Sequence, residues 1–134
     1  MAKKFLVFTY GTLKTGHYNN YRFQKEGCRL VGTAKTAPQY HLYDKGGYPL
    51  MTEAKVNGGC SIEGEIWEIT PDVLEGCDNL ELAFGYERKQ VALLSNDNAD
   101  LKDKTVLGYL FKDKERAKVY PECSPVWPPK RTKK

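Results

Sequence analysis

The sequence predicts a compact, barrel-like α+β domain, and three observations carry that prediction. Six or so segments have strand character and are mostly joined by turn signals, one well-marked helix comes late, and 134 residues leave room for a single domain. The composition suits a packed core, with 40% of residues apolar and 12% aromatic, whereas chains that stay disordered are short of aromatics.

The elements follow in order. Residues 5–10 (FLVFTY) form a near-continuous apolar run stopped by Gly11, and a run apolar on both faces suggests a central strand. Residues 19–26 hold one or two helical turns. Residues 30–36 and 40–43 read as strands, the second ended by Asp44-Lys45-Gly46-Gly47. Residues 48–53 continue it after the turn, with Pro49 tolerated only at an edge or bulge. Asn57-Gly58-Gly59 marks a tight turn. Residues 61–69 (SIEGEIWEI) then read as a half-solvated strand, with Ile62 and Ile66 turned in and Glu63, Glu65 and Glu68 turned out.

Thr70-Pro71-Asp72 is the clearest helix start. Thr70 is a capping residue type, Pro71 suits the first helical position, and Asp72 complements the helix dipole. Val73, Cys77, Leu80 and Phe84 recur at intervals of 4, 3 and 4, an apolar stripe at helical period. Gly85 suits the exit. Residues 86–94 and 105–112 read as two further strands around a polar loop containing Ser95-Asn96-Asp97-Asn98.

The domain is expected to span residues 1–120, with 121–134 a proline-rich basic tail holding four of the seven prolines. Pro125-Val126-Trp127-Pro128-Pro129-Lys130 fits a PxxPx(K/R) ligand pattern; the competing reading lays the tail on its own domain through Trp127. Four of the 21 basic residues stand at 130–134, leaving 17 bases against 17 acids in the rest. A neutral globule gives no electrostatic argument for nucleic acid as a partner. No apolar run approaches a membrane span, and the four apolar residues after Lys4 are too few for a signal peptide.

Cys28, Cys60, Cys77 and Cys123 are separated by 32, 17 and 46 residues, and His17 and His41 stand apart. This spacing argues against a zinc site, so no metal is expected. Free thiols suit a cytoplasmic protein.

Two features could carry chemistry. At Tyr10-Gly11-Thr12-Leu13-Lys14 a strand stops at a glycine, and successive amides in such a corner suit a carboxylate or an oxyanion. An ordinary strand-ending turn would read the same way. Gly11 and Gly16 have the spacing of a phosphate loop, but His17-Tyr18 stands where Lys-Ser/Thr is needed. On the helix, Glu81 lies four residues after Cys77, on the flank of the apolar stripe. Half-desolvation there would raise its pKa toward that of a general base. Asp78 would raise it further by repulsion; a Glu reaching to water, or pairing with Arg88, is the alternative.

Taken together, these blocks resemble the gamma-glutamylcyclotransferase-like family over roughly residues 5–112, its small gamma-glutamylamine cyclotransferase branch most of all in length. The blocks are Phe8-Thr9-Tyr10-Gly11-Thr12-Leu13-Lys14, with Asn19 and Asn20 after it, and Leu74…Asp78-Asn79-Leu80-Glu81 closing on Tyr86-Glu87-Arg88. Between them, Tyr48-Pro49 and Glu63-Gly64-Glu65-Ile66-Trp67 match the family's Tyr-Pro turn and Gly-Glu strand. Leu82 follows Glu81 where the family commonly has Gly.

The resemblance implies a small mixed β-barrel with flanking helices. It implies a cytoplasmic enzyme that needs no cofactor and acts on a small γ-glutamyl substrate. The substrate's own α-amine attacks its γ-amide carbonyl, a ring closes to 5-oxoproline, and an amine leaves. Glu81 would be the catalytic acid/base, and Tyr10, Gly11, Thr12 and Leu13 the substrate loop; Tyr109, on the last strand, reads either as a pocket hydroxyl or as a core tyrosine. Two other readings are a binding module that keeps the pocket without turnover, and an interaction protein acting through the tail. The oligomeric state is left open.

Overall fold

The computed structural model describes residues 4–11, 13–17, 19–46, 48–54, 59–96, 104–122 and 127. Thr12, the turn at residues 57–58, Cys123 and most of the tail lie outside the described residues.

Among the described residues, eight strands and two helices follow in order: β1 (Phe5–Thr9), β2 (Arg29–Thr36), β3 (Tyr40–Asp44), β4 (Pro49–Glu53), β5 (Glu63–Ile69), α1 (Pro71–Ala83), β6 (Tyr86–Gln90), β7 (Leu93–Asn96), β8 (Val106–Phe111) and α2 (Lys114–Ala117). A 3₁₀ turn, Asn20–Phe23, stands between β1 and β2. Six strands form one sheet in the order β6-β8-β1-β5-β2-β7, and β3 with β4 form a separate hairpin. The β1–β8 pair is parallel and β1–β5 antiparallel, so the sheet is mixed.

The apolar run at the N-terminus becomes a central strand because both its faces are covered. Val7 pairs with Trp67 and Phe8 with Ile66. Side chains alternate across a strand, so Val7 and Trp67 enter one apolar cluster while Phe8 and Ile66 enter the other. Burying each such side chain is worth about 1.5–3 kcal/mol of transfer free energy.

Residues 86–94 were expected to form one strand, and the structure divides them. β6 pairs with β8 at one sheet edge, and β7 pairs with β2 at the other. Between them the Val91 N–H donates to Val106 O at 2.8 Å, while Ala92 O accepts from Ala37 N at 2.9 Å. Adjacent residues thus bond to opposite edges, and the sheet bends round into a half-barrel. The mixed barrel-like α+β fold expected from the sequence is the fold observed. Ser95 and Asn96, expected in a loop, belong to β7 and face Lys35 and Ala34.

Pro49 is accommodated as the first residue of β4 in the two-stranded hairpin, where a missing N–H costs least. Thr70 precedes α1 in extended conformation with Pro71 at the first helical position, but its side chain makes no capping bond to the helix. Its hydroxyl instead donates to Asp72 Oδ1 at 2.5 Å. Gly85 ends the helix region with φ +90°, a conformation in which glycine carries no Cβ penalty. The short α2 had no counterpart in the sequence reading. Among the described residues, no helix is long and apolar enough to cross a membrane.

Candidate active site

The site begins where β1 ends. The chain turns at Gly11, whose carbonyl accepts from Lys14 N at 3.0 Å. A Cβ on Gly11 would lie 2.6 Å from Pro49 Cγ, so only glycine lets the corner close against the start of β4. The corner is braced from behind: buried Asn20 donates to Leu13 O at 2.7 Å, and Gln24 donates to Asn20 Oδ1 at 2.7 Å. Among the described residues, the Gly11 and Leu13 amides donate to no protein acceptor.

The opposite wall is the last turn of α1. Val73, Leu74 and Cys77 are buried, but the apolar stripe emerges at Leu80 and Phe84, and Phe84 is 53% exposed. Both side chains line a cavity together with Glu81. Burial pushes the Glu81 carboxyl up from 4.5 to about 7, against a weaker downward pull from Arg22. The same burial pushes the Cys77 thiol up to about 12, which removes it as a nucleophile near neutral pH.

The cavity has a volume of about 80 Å³; a single water needs roughly 10–15 Å³ on the same measure. One side is formed by Phe8, Thr9, Tyr10, Gly11 and Leu13, the far side by Leu80, Glu81 and Phe84, and the ends by Tyr48, Pro49, Tyr86 and Tyr109, with Asn19 beside the corner. Tyr48 and Phe84 meet edge-on at the mouth with ring centroids 5.9 Å apart.

Three tyrosines give this cavity its polarity. Tyr10 Oη donates to Tyr109 O at 2.5 Å, Tyr86 Oη donates to Pro49 O at 2.5 Å, and Tyr109 Oη donates to Asp78 Oδ1 at 2.7 Å. Burial first, and then Tyr86 and Glu81 nearby, push the Tyr10 hydroxyl well above its ordinary range. A phenol that has given its one hydrogen to a carbonyl presents only acceptor lone pairs to anything else.

Five of the residues singled out in the sequence, Tyr10, Gly11, Leu13, Glu81 and Tyr109, therefore line one cavity; Thr12 lies outside the described residues. The expected partners of the helix acids change. Arg88 pairs with Asp78 at 2.6 Å and not with Glu81. Asp78 is also not what raises Glu81: its carboxylate is taken up by Arg88 and Tyr109, and desolvation is the cause. Leu80 and Phe84 had read as core, and Tyr86 as a plain strand residue. The emergence of the stripe at Gly85 was the available signal for the first two; nothing local marked Tyr86, whose partner Pro49 is 37 residues away.

Comparison with known proteins gives the family. Residues 7–127 match the family described as "Gamma-glutamyl cyclotransferase, AIG2-like". Over 76 residues the chain is 40% identical to a Vibrio cholerae protein named "Putative gamma-glutamylcyclotransferase", a stretch covering 57% of this chain and 61% of that protein. A Drosophila melanogaster protein of the same designation is 32% identical over 117 residues, covering 84% of this chain and 74% of its own. The match thus spans about three-fifths to three-quarters of these relatives. In fold, the chain resembles the crystal structure of an AIG2-like mouse protein with a TM-score of 0.65 at 19% identity, covering 97% of this chain and 99% of that one. The chain belongs to the gamma-glutamyl cyclotransferase, AIG2-like family.

Proposed function

We propose that this protein is a gamma-glutamylcyclotransferase that releases 5-oxoproline and a free amine from a γ-glutamyl amide or amine, with Glu81 as its acid/base. The observation that carries the reading is a half-buried carboxyl with pKa raised to about 7 sharing one cavity with the glycine corner.

The chemistry follows from that pairing. An α-ammonium cannot attack a carbonyl until it loses a proton, and an ionised Glu81 takes it. The freed amine forms a bond to the γ-carbonyl carbon, a tetrahedral intermediate develops an oxyanion, and the C–N bond to the leaving amine breaks. Glu81 returns its proton to the departing nitrogen. No water is consumed and no cofactor is required. A base with pKa near the working pH suits both proton transfers.

The rest of the cavity fits this assignment. Tyr10 gives its hydrogen to Tyr109 O and lies near enough to Glu81 to feel its charge, so its hydroxyl offers no proton that would compete with an ammonium for that carboxylate. The Gly11 and Leu13 amides supply donors at the corner for a carboxylate or the oxyanion. Thr12 belongs to the same proposed loop. Tyr109 serves as a wall held by Asp78. Because nucleophile and carbonyl belong to one molecule, folding the glutamyl chain supplies most of the catalysis, and such positioning reaches roughly 7–11 kcal/mol in favourable systems. Leu80, Phe84 and Tyr48 at the mouth would meet the leaving amine. The free thiols at Cys28, Cys60 and Cys77 support a cytoplasmic setting.

The test is incubation of the protein with a γ-glutamylamine, γ-glutamyl-ε-lysine and glutathione, followed by mass spectrometry for 5-oxoproline. Release from at least one substrate is expected. Tight binding of 5-oxoproline without turnover of any of them would replace the enzyme by a binding module.

A further inference from the structure

We infer that Trp127, from the C-terminal segment, is a positioning residue that ties together the two loops of the candidate site; the inference rests on the substrate loop proposed above. One loop is the corner at residues 10–14 that leaves β1. The other is the turn at residues 44–48 between β3 and β4, which delivers Tyr48 and Pro49. The two meet where Gly11 packs on Pro49, a contact of dispersion alone and individually weak.

Trp127 reaches both loops. Its carbonyl accepts from Lys14 Nζ, and its ring packs against His17 with centroids 5.2 Å apart. Its indole N–H donates to Asp44 Oδ1 at 3.1 Å, the same oxygen that accepts Gly46 N at 2.9 Å. Its backbone thus holds Lys14 at the end of the corner, its ring meets His17 just beyond, and its indole N–H organises the turn on the other side. Trp127 is 7% exposed and shares an apolar cluster with Phe8 and Tyr10, both of which line the cavity. Pro121 and Glu122 are held to the same hairpin, since Asp44 N donates to Pro121 O at 2.8 Å and His41 Nδ1 lies 2.9 Å from Glu122 Oε2.

Tryptophan suits this place because it buries a large apolar surface and keeps one donor for a polar anchor. A ring so enclosed is not displayed to a partner's aromatic groove, which removes the residue at the centre of the PxxP-like pattern from that role. Its consequence is functional: loosening the two loops weakens their hold on the glutamyl chain equally before and during the reaction, a loss that shows in KM.

The test compares wild type, Trp127→Ala and Trp127→Phe in the full chain, by steady-state release of 5-oxoproline and by hydrogen exchange at residues 10–14 and 44–48. Trp127→Ala is expected to raise KM about tenfold or more with kcat changed less than about threefold, and to increase exchange in both loops. Trp127→Phe keeps the ring but not the N–H, and is expected to fold and to fall between. It carries the test if the alanine variant does not fold. Unchanged KM, or unchanged exchange in both loops, overturns the inference. If wild type releases no 5-oxoproline, the proposed activity fails instead, and exchange alone then decides whether Trp127 ties the loops.

Discussion

The Tyr109 hydroxyl donates to Asp78 Oδ1 at 2.7 Å, and that bond separates the duties of the two acids on α1. Asp78 also holds Arg88 at 2.6 Å, so its charge is taken up in structure, while Glu81, one turn on, keeps a half-buried carboxyl in the cavity. Tyr109→Phe is expected to lower kcat/KM by about tenfold or less, because it removes a tether and no proton-transfer group. The pH dependence of the remaining activity should stay where it was, as desolvation and not Asp78 raises Glu81. Steady-state release of 5-oxoproline across pH checks both points.

Glu81 should cost the protein stability at neutral pH. Its folded pKa of about 7 lies above the ordinary value of 4.5, so the favourable burial of the neutral acid is fully present below about pH 4.5. It is lost as pH rises through about 7. Glu81→Gln cannot ionise, and should gain on wild type by on the order of 2–3 kcal/mol between pH 4 and pH 8. Urea unfolding of both proteins at the two pH values measures this, and a difference that does not change with pH would contradict it.

Phe84 separates packing from specificity. The ring is 53% exposed, so Phe84→Ala is expected to move stability by less than about 1 kcal/mol. Its edge-on contact with Tyr48 stands at the cavity mouth, so KM should rise for substrates with bulky apolar leaving amines and change little for small ones. Paired thermal melts and KM values across a series of γ-glutamylamines test this.

Gly11→Ala should harm both fold and function. The new methyl would stand 2.6 Å from Pro49 Cγ, and overpacking of this kind costs about 1–3 kcal/mol. Because the corner must move to relieve it, 5-oxoproline release should fall more than about tenfold. Thermal unfolding and turnover of the one variant report the two effects.

Much of this was legible in the chain because local chemistry decides it. The run at residues 5–10, the Pro71 start of α1 and the exit at Gly85 follow from apolar spacing, proline's missing donor and a positive φ. The break at Val91 and Ala92 was not legible, since it exists only because the two residues bond to opposite edges of a bent sheet. The same holds for the site. Glu81 could be picked out by its place on the helix flank, but Tyr86 and Trp127 act through Pro49 and Asp44, partners 37 and 83 residues away. The exposed Phe84 was hidden by its own periodicity, which is that of a core residue until the helix outruns what it packs against.

The central claim, that the half-buried carboxyl of Glu81 moves the proton, is tested most directly by the pH–rate profile of 5-oxoproline release by wild type and Glu81→Gln. Wild-type kcat/KM should rise about tenfold per pH unit below about pH 7 and level off above it, as the base ionises. Glu81→Gln should be folded and slower by at least 10²–10⁴-fold, roughly the worth of a positioned base. A glutamine variant that turns over within about threefold of wild type, with the same rise through pH 7, would contradict the account.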